Sequence, residues 1–374
     1  MKLIRWLGIG LLSLLLLPIA LFVGTGLVRG HDIGSAWRAL ITREPDFTID
    51  AGQLERAAFA DAVYVGNVER VEIEEASGLA PSRRRSDLLW ALNDSGAGAR
   101  LYALGVDGRD LGTVDVPGAT NFDWEDLASF TLDGMPYLLI ADVGDNFSWR
   151  RRVQLYVVEE PELRAERFEE GATARLAWVI PLRYEDGPRD SEAVAVDVPR
   201  RRVLSLSKRS VPLELYEVDL MPPKAPEAAP RVAARVTEVP NIPQPTEADR
   251  EEDPEFGESR SLATAMDVAP DASELVIVTY KNAYHFPRAD GESWSQALVK
   301  LPRVIPVPPM EQIEAGTYSR DARSFFITTE QRPSPLFRID RNEVHSPDPA
   351  ASRSWGARVG SVWEDGAVGV SHAR

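Results

Sequence analysis

The stretch DWEDLASFTLDGMPYLLIAD, residues 123–142, decides the fold. Acidic residues open it, an apolar run follows, a turn built around Asp133-Gly134 interrupts it, and a second apolar run closes on Asp142. Two short apolar runs divided by a glycine-containing turn read as a β-hairpin. The pattern recurs. EEASGLA (74–80), DWEDLAS (123–129), DSEAVAV (190–196), SLATAMDV (261–268) and EQIEAGTY (311–318) each open a first strand. LLWALND (88–94), YLLIAD (137–142), VLSLSK (203–208), LVIVTYK (275–281) and SFFITTE (324–330) each supply a second. Ser77 to Asp94, Glu125 to Asp142 and Thr264 to Lys281 span 17 residues, and Glu192 to Lys208 and Glu314 to Glu330 span 16. Unrelated hairpins do not fall into such even spacing.

Working outward, a third strand is marked by Leu101-Tyr102, Leu155-Tyr156, Leu215-Tyr216, Ala283-Tyr284 and Leu336-Phe337. A fourth follows in LGTVDVPG (111–118), RLAWVIPLRY (175–184), ARVTEVPNIP (234–243) and ALVKLPRVIPV (297–307). The fifth unit has no fourth strand after it, but AVYVGNVERVEI (62–73) precedes the first unit and has the right character to complete a ring. Four strands per repeat predict an all-β fold, a single β-propeller. Five repeats are visible, with room for a sixth in residues 31–61 or 341–374. The organisation expected is a membrane anchor or signal segment (1–30), a stalk or linker (31–61), the propeller (62–340) and a C-terminal extension (341–374). Residues 161–170 read as a short helix. Residues 221–260, rich in Pro and acid, read as a disordered excursion or a lid over one face.

Residues 6–28 carry no charge, with Lys2 and Arg5 before them and Arg29 after. About 20 apolar residues span a bilayer as a helix. The run therefore predicts an uncleaved transmembrane anchor, with a cleaved signal peptide as the alternative, and in either case an extracytoplasmic body (periplasm or cell surface). The chain carries 42 Lys+Arg against 58 Asp+Glu, a net charge of −16, which argues against nucleic acid as a partner. It has no cysteine, so disulfides, zinc–thiolate sites, iron–sulfur clusters and thiol nucleophiles are excluded.

The segments SGLA (77–80), LLWALNDSG (88–96), NFDWEDLA (121–128) and YLLIADVGDN (137–146) resemble those of exported bacterial β-propeller proteins, distantly similar to the β-propeller phytase and gluconolactonase-type folds. The resemblance spans roughly residues 70–340 and implies an axial Ca²⁺ held by carboxylates. No ligand set transfers residue by residue, and a count of five departs from the six blades of the phytases.

In a propeller, equivalent residues of each repeat converge on the axis. One such set is Ser77, Glu125, Glu192, Thr264 and Glu314; the other is Asp94, Asp142, Lys208, Lys281 and Glu330. Converging carboxylates repel, and a divalent cation relieves them. With no Cys and four His, a hard, oxygen-ligated ion such as Ca²⁺ suits the chain best. The candidate metal ligands are Asp94, Glu125, Asp142, Glu192, Glu314 and Glu330; the alternative is that these acids pair with Arg or Lys. Lys208 and Lys281 are candidate binders of an anionic ligand. Trp124 reads as an inter-blade packing residue, and the arginine runs 83–85, 150–152 and 200–202 as solvated turns. Two functions remain open. One is a ligand-binding or scaffold module of the envelope, whose partner is an anionic small molecule, an envelope protein or a polysaccharide. The other is a metal-dependent phosphoesterase, a phytase-like hydrolase, with Glu125 or Glu192 as base.

Overall fold

A computed structural model describes residues 49 and 51–342, apart from 95, 224–228, 255 and 331. The anchor expected at 6–28, most of the stalk and nearly all of the C-terminal extension lie outside these. Among the described residues no helix is long and apolar enough to cross a membrane.

The strands form five antiparallel four-stranded units. Strand β1 (Val63–Asn67) comes first in the chain but belongs to the last unit. Blade 1 is β2 (Ala76–Pro81), β3 (Leu88–Asn93), β4 (Arg100–Gly105) and β5 (Asp110–Asp115). Blade 2 is β6 (Trp124–Leu132), β7 (Met135–Asp142), β8 (Val153–Glu159) and β9 (Leu176–Tyr184). Blade 3 is β10 (Ser191–Asp197), β11 (Arg202–Ser207), β12 (Leu213–Asp219) and β13 (Arg231–Val239). Helix α1 (Glu247–Glu252) follows it. Blade 4 is β14 (Ala263–Val268), β15 (Glu274–Thr279), β16 (Ala283–Pro287) and, after a short helix α2 (Trp294–Ala297), β17 (Arg303–Ile305). Blade 5 is β18 (Ile313–Tyr318), β19 (Ser324–Thr329), β20 (Pro335–Asp340) and β1. Blades 2 and 3 are also stitched at their outer edges, where Arg231–Ala233 pairs in parallel with Leu182–Tyr184.

The first strands β2, β6, β10, β14 and β18 neighbour one another in a closed ring. Each is buried almost throughout, because other inner strands cover it on both sides. The apolar core is divided accordingly. Five clusters lie between blades 1 and 2, 2 and 3, 3 and 4, 4 and 5, and 5 and 1, so every blade is held by both neighbours. Burial shared around a ring in this way defines a propeller-like architecture. Trp124 is fully buried in the first of these interfaces. At the crowded centre only small residues fit: a Cβ on Gly78 would lie 2.7 Å from the Leu127 backbone nitrogen.

The ring closes through β1, whose Val63 and Tyr64 pair with Arg338 and Phe337 of β20. This is the pairing expected of residues 62–73. Three expectations need correction. Residues 161–170 form no helix, because the segment crosses from β8 to β9 over the surface. The 221–260 excursion is partly ordered: it carries β13 and α1, the latter fixed by a capping box at Thr246. The end of the 31–61 segment is no free stalk, since Ala57 and Phe59 are buried in the core between blades 4 and 5.

Candidate metal centre at the ring axis

Each inner strand has one residue too many for its partner. The ladder skips between Ala76 and Gly78, Trp124 and Asp126, Ser191 and Ala193, Ala263 and Ala265, and Ile313 and Ala315. The bulged residues are therefore Ser77, Glu125, Glu192, Thr264 and Glu314, the set picked out by the repeat. A bulge takes its residue out of the regular alternation and re-aims the side chain. Below the bulges, Asp126 plugs the axis: its carboxylate accepts N–H bonds from Leu127 (2.8 Å), Val194 (2.7 Å) and Met266 (3.3 Å), tying blades 2, 3 and 4 together.

The second set needs a change of register. The N–H groups of Asp94, Lys208, Tyr280 and Glu330 donate to the carbonyls of Glu75, Asp190, Leu262 and Gln312 at 3.0–3.3 Å, and in blade 2 Gly144 donates to Asp123 at 3.3 Å. The equivalent residues are thus Asp94, Gly144, Lys208, Tyr280 and Glu330. Asp142 is instead the last ladder residue, paired with Trp124, and Lys281 is one residue past Tyr280. Lys281 is off by one residue, which turns a side chain to the other face, and it is ion-paired to Asp249 of α1. Asp142 is off by two and accepts from Arg150 Nη2 at 2.6 Å.

Lys208 is buried and ion-paired to Glu192, and its ammonium also donates to the Tyr280 hydroxyl at 3.0 Å. Burial disfavours this ammonium, but Glu192 and Glu314 outweigh it and hold its pKa well above the ordinary lysine value. Burial pushes the carboxyls of Glu192 and Glu314 up, with Lys208 opposing. Glu330, half-buried beside Glu314, is raised by its own burial and by the charges of Glu75 and Asp94. These three acids cluster around one lysine, which is ion-paired to Glu192.

Glu125 is different. Only 5 % of it is exposed. It forms no ion pair and no hydrogen bond with any described residue. Burial drives its pKa far up, and Glu192, Asp94, Asp123 and Asp190 all push in the same direction. Its carboxylate lies with those of Asp94 and Asp123 so that one oxygen from each is within 4.8 Å of the others. The Asp123 carboxyl is pushed up to about 7, by burial first and then by Asp94, with Arg150 opposing. Neither Asp123 nor Glu125 is ion-paired to a described lysine or arginine: Arg150 is held by Asp142 and by the Gly144 carbonyl (2.7 Å), and Arg209 by Asp190 (2.6 Å). Gly144 makes room for the group, since a Cβ there would lie 2.0 Å from Glu125 Oε1 and 2.6 Å from Asp123 Oδ2.

Of the six expected metal ligands, then, Asp94 and Glu125 come together, and Asp142, Glu192, Glu314 and Glu330 do not join them. Asp123 is the member of this group that the repeat did not pick out. The signal was its place two residues before a bulge, which Glu75 and Asp190 share. The three grouped carboxylates, in a protein lacking thiols, fit a hard divalent ion. The exposed rings of Phe122 and Phe147 flank the loops that carry them.

No protein-family model matches the chain, and no curated protein matches it. Among solved structures, the PQQ-bound aldose sugar dehydrogenase of Streptomyces coelicolor superposes with a TM-score of 0.42 at 11% identity, over 76% of this chain and 99% of that one. At that distance neither its cofactor nor its substrate transfers.

Proposed function

We propose that the protein is an exported, membrane-tethered five-bladed β-propeller that binds a divalent cation at its axis and serves as a ligand-binding module of the cell envelope. Residues 6–28 supply the tether, and the body lies outside the cytoplasm. The observation that carries the reading is the Glu125 carboxylate: buried on a bulge, unpaired, and grouped with Asp94 and Asp123 beside a glycine that leaves them space. Burying an unpaired carboxylate is costly unless it is protonated or bound to a cation. Asp94, Asp123 and Glu125 would hold the ion, which would supply a Lewis-acidic point for an oxygen-bearing ligand. The binding module is favoured over the phosphoesterase because Lys208 and Lys281, the phosphate clamp of that alternative, are engaged by Glu192 and Asp249. The test is a calorimetric titration of the full-length protein with Ca²⁺ and with Mn²⁺. Saturable one-site binding that Glu125→Gln abolishes is expected. Equal heats for wild type and variant would sink the reading.

A further inference from the structure

The first strands all run the same way, so the residues after their far ends gather at the opposite end of the axis. There a cleft of about 500 Å³ is lined by Arg83, Arg84 and Arg85 of the β2–β3 turn and by Arg320 of the β18–β19 turn. Thr131, Gly134 and Leu163 complete its walls. Four arginines in one cleft run against a net charge of −16.

What distinguishes the cleft is how its cations are satisfied. Arg85 pairs with Asp87 at 2.7 Å. Arg83, Arg84 and Arg320 form no ion pair with any described residue. The Arg83 guanidinium donates to the Ser129 carbonyl (2.8 Å from Nη2) and hydroxyl (2.9 Å from Nε), and Arg84 Nε donates to the Glu160 carbonyl at 2.9 Å. The carboxylates nearby are engaged elsewhere. Glu160 accepts from the Ser82 hydroxyl, the Arg83 N–H (3.0 Å) and Trp90 Nε1 (3.1 Å). Asp267 accepts from Thr317 Oγ1 (2.8 Å), Tyr318 N–H (2.9 Å) and Val268 N–H (2.8 Å). Glu162, on the wall, is held by Arg164 at 2.8 Å. The Arg84 and Arg320 side chains are exposed, and Arg320 lies close enough to Arg83 for the two charges to repel.

Two other clefts provide the contrast. In one of about 600 Å³, which shares Arg320, Arg338 faces Asp340 at 3.0 Å and Arg323 faces Asp321 at 3.9 Å. In one of about 440 Å³, Lys300 is paired with Glu292 and Arg303 with Glu55 at 3.5 Å. Arg338, Arg323, Lys300 and Arg303 thus each have a carboxylate partner within the protein, whereas Arg83, Arg84 and Arg320 have none among the described residues.

We propose that the arginine cleft is a second, anion-binding site, which takes a phosphoryl group through Arg84 and Arg320 with Arg83 at its floor. Guanidinium forks match tetrahedral oxyanions two bonds at a time, and two of them on separate turns grip one group from both sides. The cleft has the size of a small solute, and it is independent of the metal centre at the other end of the axis.

The probe is inorganic pyrophosphate, titrated into full-length protein in phosphatidylcholine nanodiscs. Saturable binding that weakens as NaCl is raised is expected, at least tenfold weaker in the Arg84→Gln/Arg320→Gln double variant. Repeating the titration in nanodiscs enriched in phosphatidylglycerol separates the sources of the phosphoryl group. A drop in apparent affinity, absent from the double variant, assigns the site to a lipid headgroup; no change assigns it to a soluble phosphate. Absence of saturable binding, or equal affinity in wild type and double variant, overturns the proposal. A double variant that melts with the wild type excludes misfolding as the cause of any loss.

Discussion

Gly144→Ala tests the metal centre with one methyl group. The added Cβ would lie 2.0 Å from Glu125 Oε1, 2.6 Å from Asp123 Cγ and 2.6 Å from Asp123 Oδ2. Ordinary contact requires about 3.4 Å or more, so both carboxylates must retreat by roughly 1 Å. They can, because each is the free end of a side chain, and Gly144 does not occupy the left-handed region that would strain an alanine. Loss of chain entropy in the unfolded state favours Ala over Gly by about 0.4–1 kcal/mol, which offsets the local adjustment. The fold should therefore survive with a melting temperature close to that of the wild type. The site should not. Metal–oxygen distances tolerate only about 0.2 Å, and two of three ligands would be displaced by several times that. A hundredfold loss of Ca²⁺ affinity, about 2.7 kcal/mol, is the expected scale. Calorimetry reads the affinity and thermal melting reads the fold. If Gly144→Ala folds normally and binds Ca²⁺ as the wild type does, the three carboxylates are not the ligands.

The remaining predictions follow from the same geometry. Because the folded-state pKa of Asp123 is raised to about 7, protons compete with the ion, so apparent Ca²⁺ affinity should fall by up to about tenfold per pH unit below pH 7; calorimetry in two buffers of different ionisation heat should show proton release, and a flat profile from pH 5.5 to 7.5 would refute it. In metal-free protein the same raised pKa means the folded state binds more protons than the unfolded one between about pH 4 and 7, so stability should decline as pH rises through that window; added Ca²⁺ should restore it, as denaturant melts at pH 5 and 8 would show. Asp126→Ala should cost about 3 kcal/mol in urea unfolding, because it orphans buried N–H groups of blades 2, 3 and 4, whereas a loss under 1 kcal/mol would mean the axis is not held there. Gly66→Ala should loosen ring closure by about 2 kcal/mol or more, since its Cβ would meet the Asp107 carbonyl oxygen at 2.0 Å and backbone cannot swing aside as a carboxylate can.

The propeller-like fold was legible because the inner hairpins repeat in length and character, and because β1 supplies the strand that the fifth unit lacks. The site was half legible. Equal offsets found the bulged residues, whose equivalence is enforced by the ring, but a count of residues cannot see a bulge. The hairpin from Trp124 to Asp142 is longer than that from Ser191 to Ser207, so aligning on like charges put Asp142 and Lys281 where Gly144 and Tyr280 belong. Charge was the wrong guide because Arg150 and Asp249, which capture those two residues, reach them through loop and helix contacts that leave no periodic trace. In the 150–152 and 83–85 runs Arg151, Arg152 and Arg84 are exposed as expected of solvated turns, but Arg150 is fixed by Asp142 and Arg83 by Ser129 on a neighbouring blade.

The lasting asymmetry lies in how the acids around the ring are matched. Blade 3 brings its own cations, Lys208 for Glu192 and Arg209 for Asp190. Blade 2 places Asp123 and Glu125 at the corresponding positions but has Gly144 where blade 3 has Lys208. Replacing a buried cation by a glycine while retaining the acids leaves charge uncompensated and space to compensate it. A structural role alone would be served better by a lysine there, as in blade 3, because an unpaired buried carboxylate weakens the fold more than a paired one does. On the proposed reading the glycine leaves room for a cation from solution, and Gly144→Lys should imitate blade 3: a more stable protein at pH 8 that no longer responds to Ca²⁺ or to chelator. A Gly144→Lys protein that still gains stability from Ca²⁺ would show that the ion, if bound, sits elsewhere on the ring.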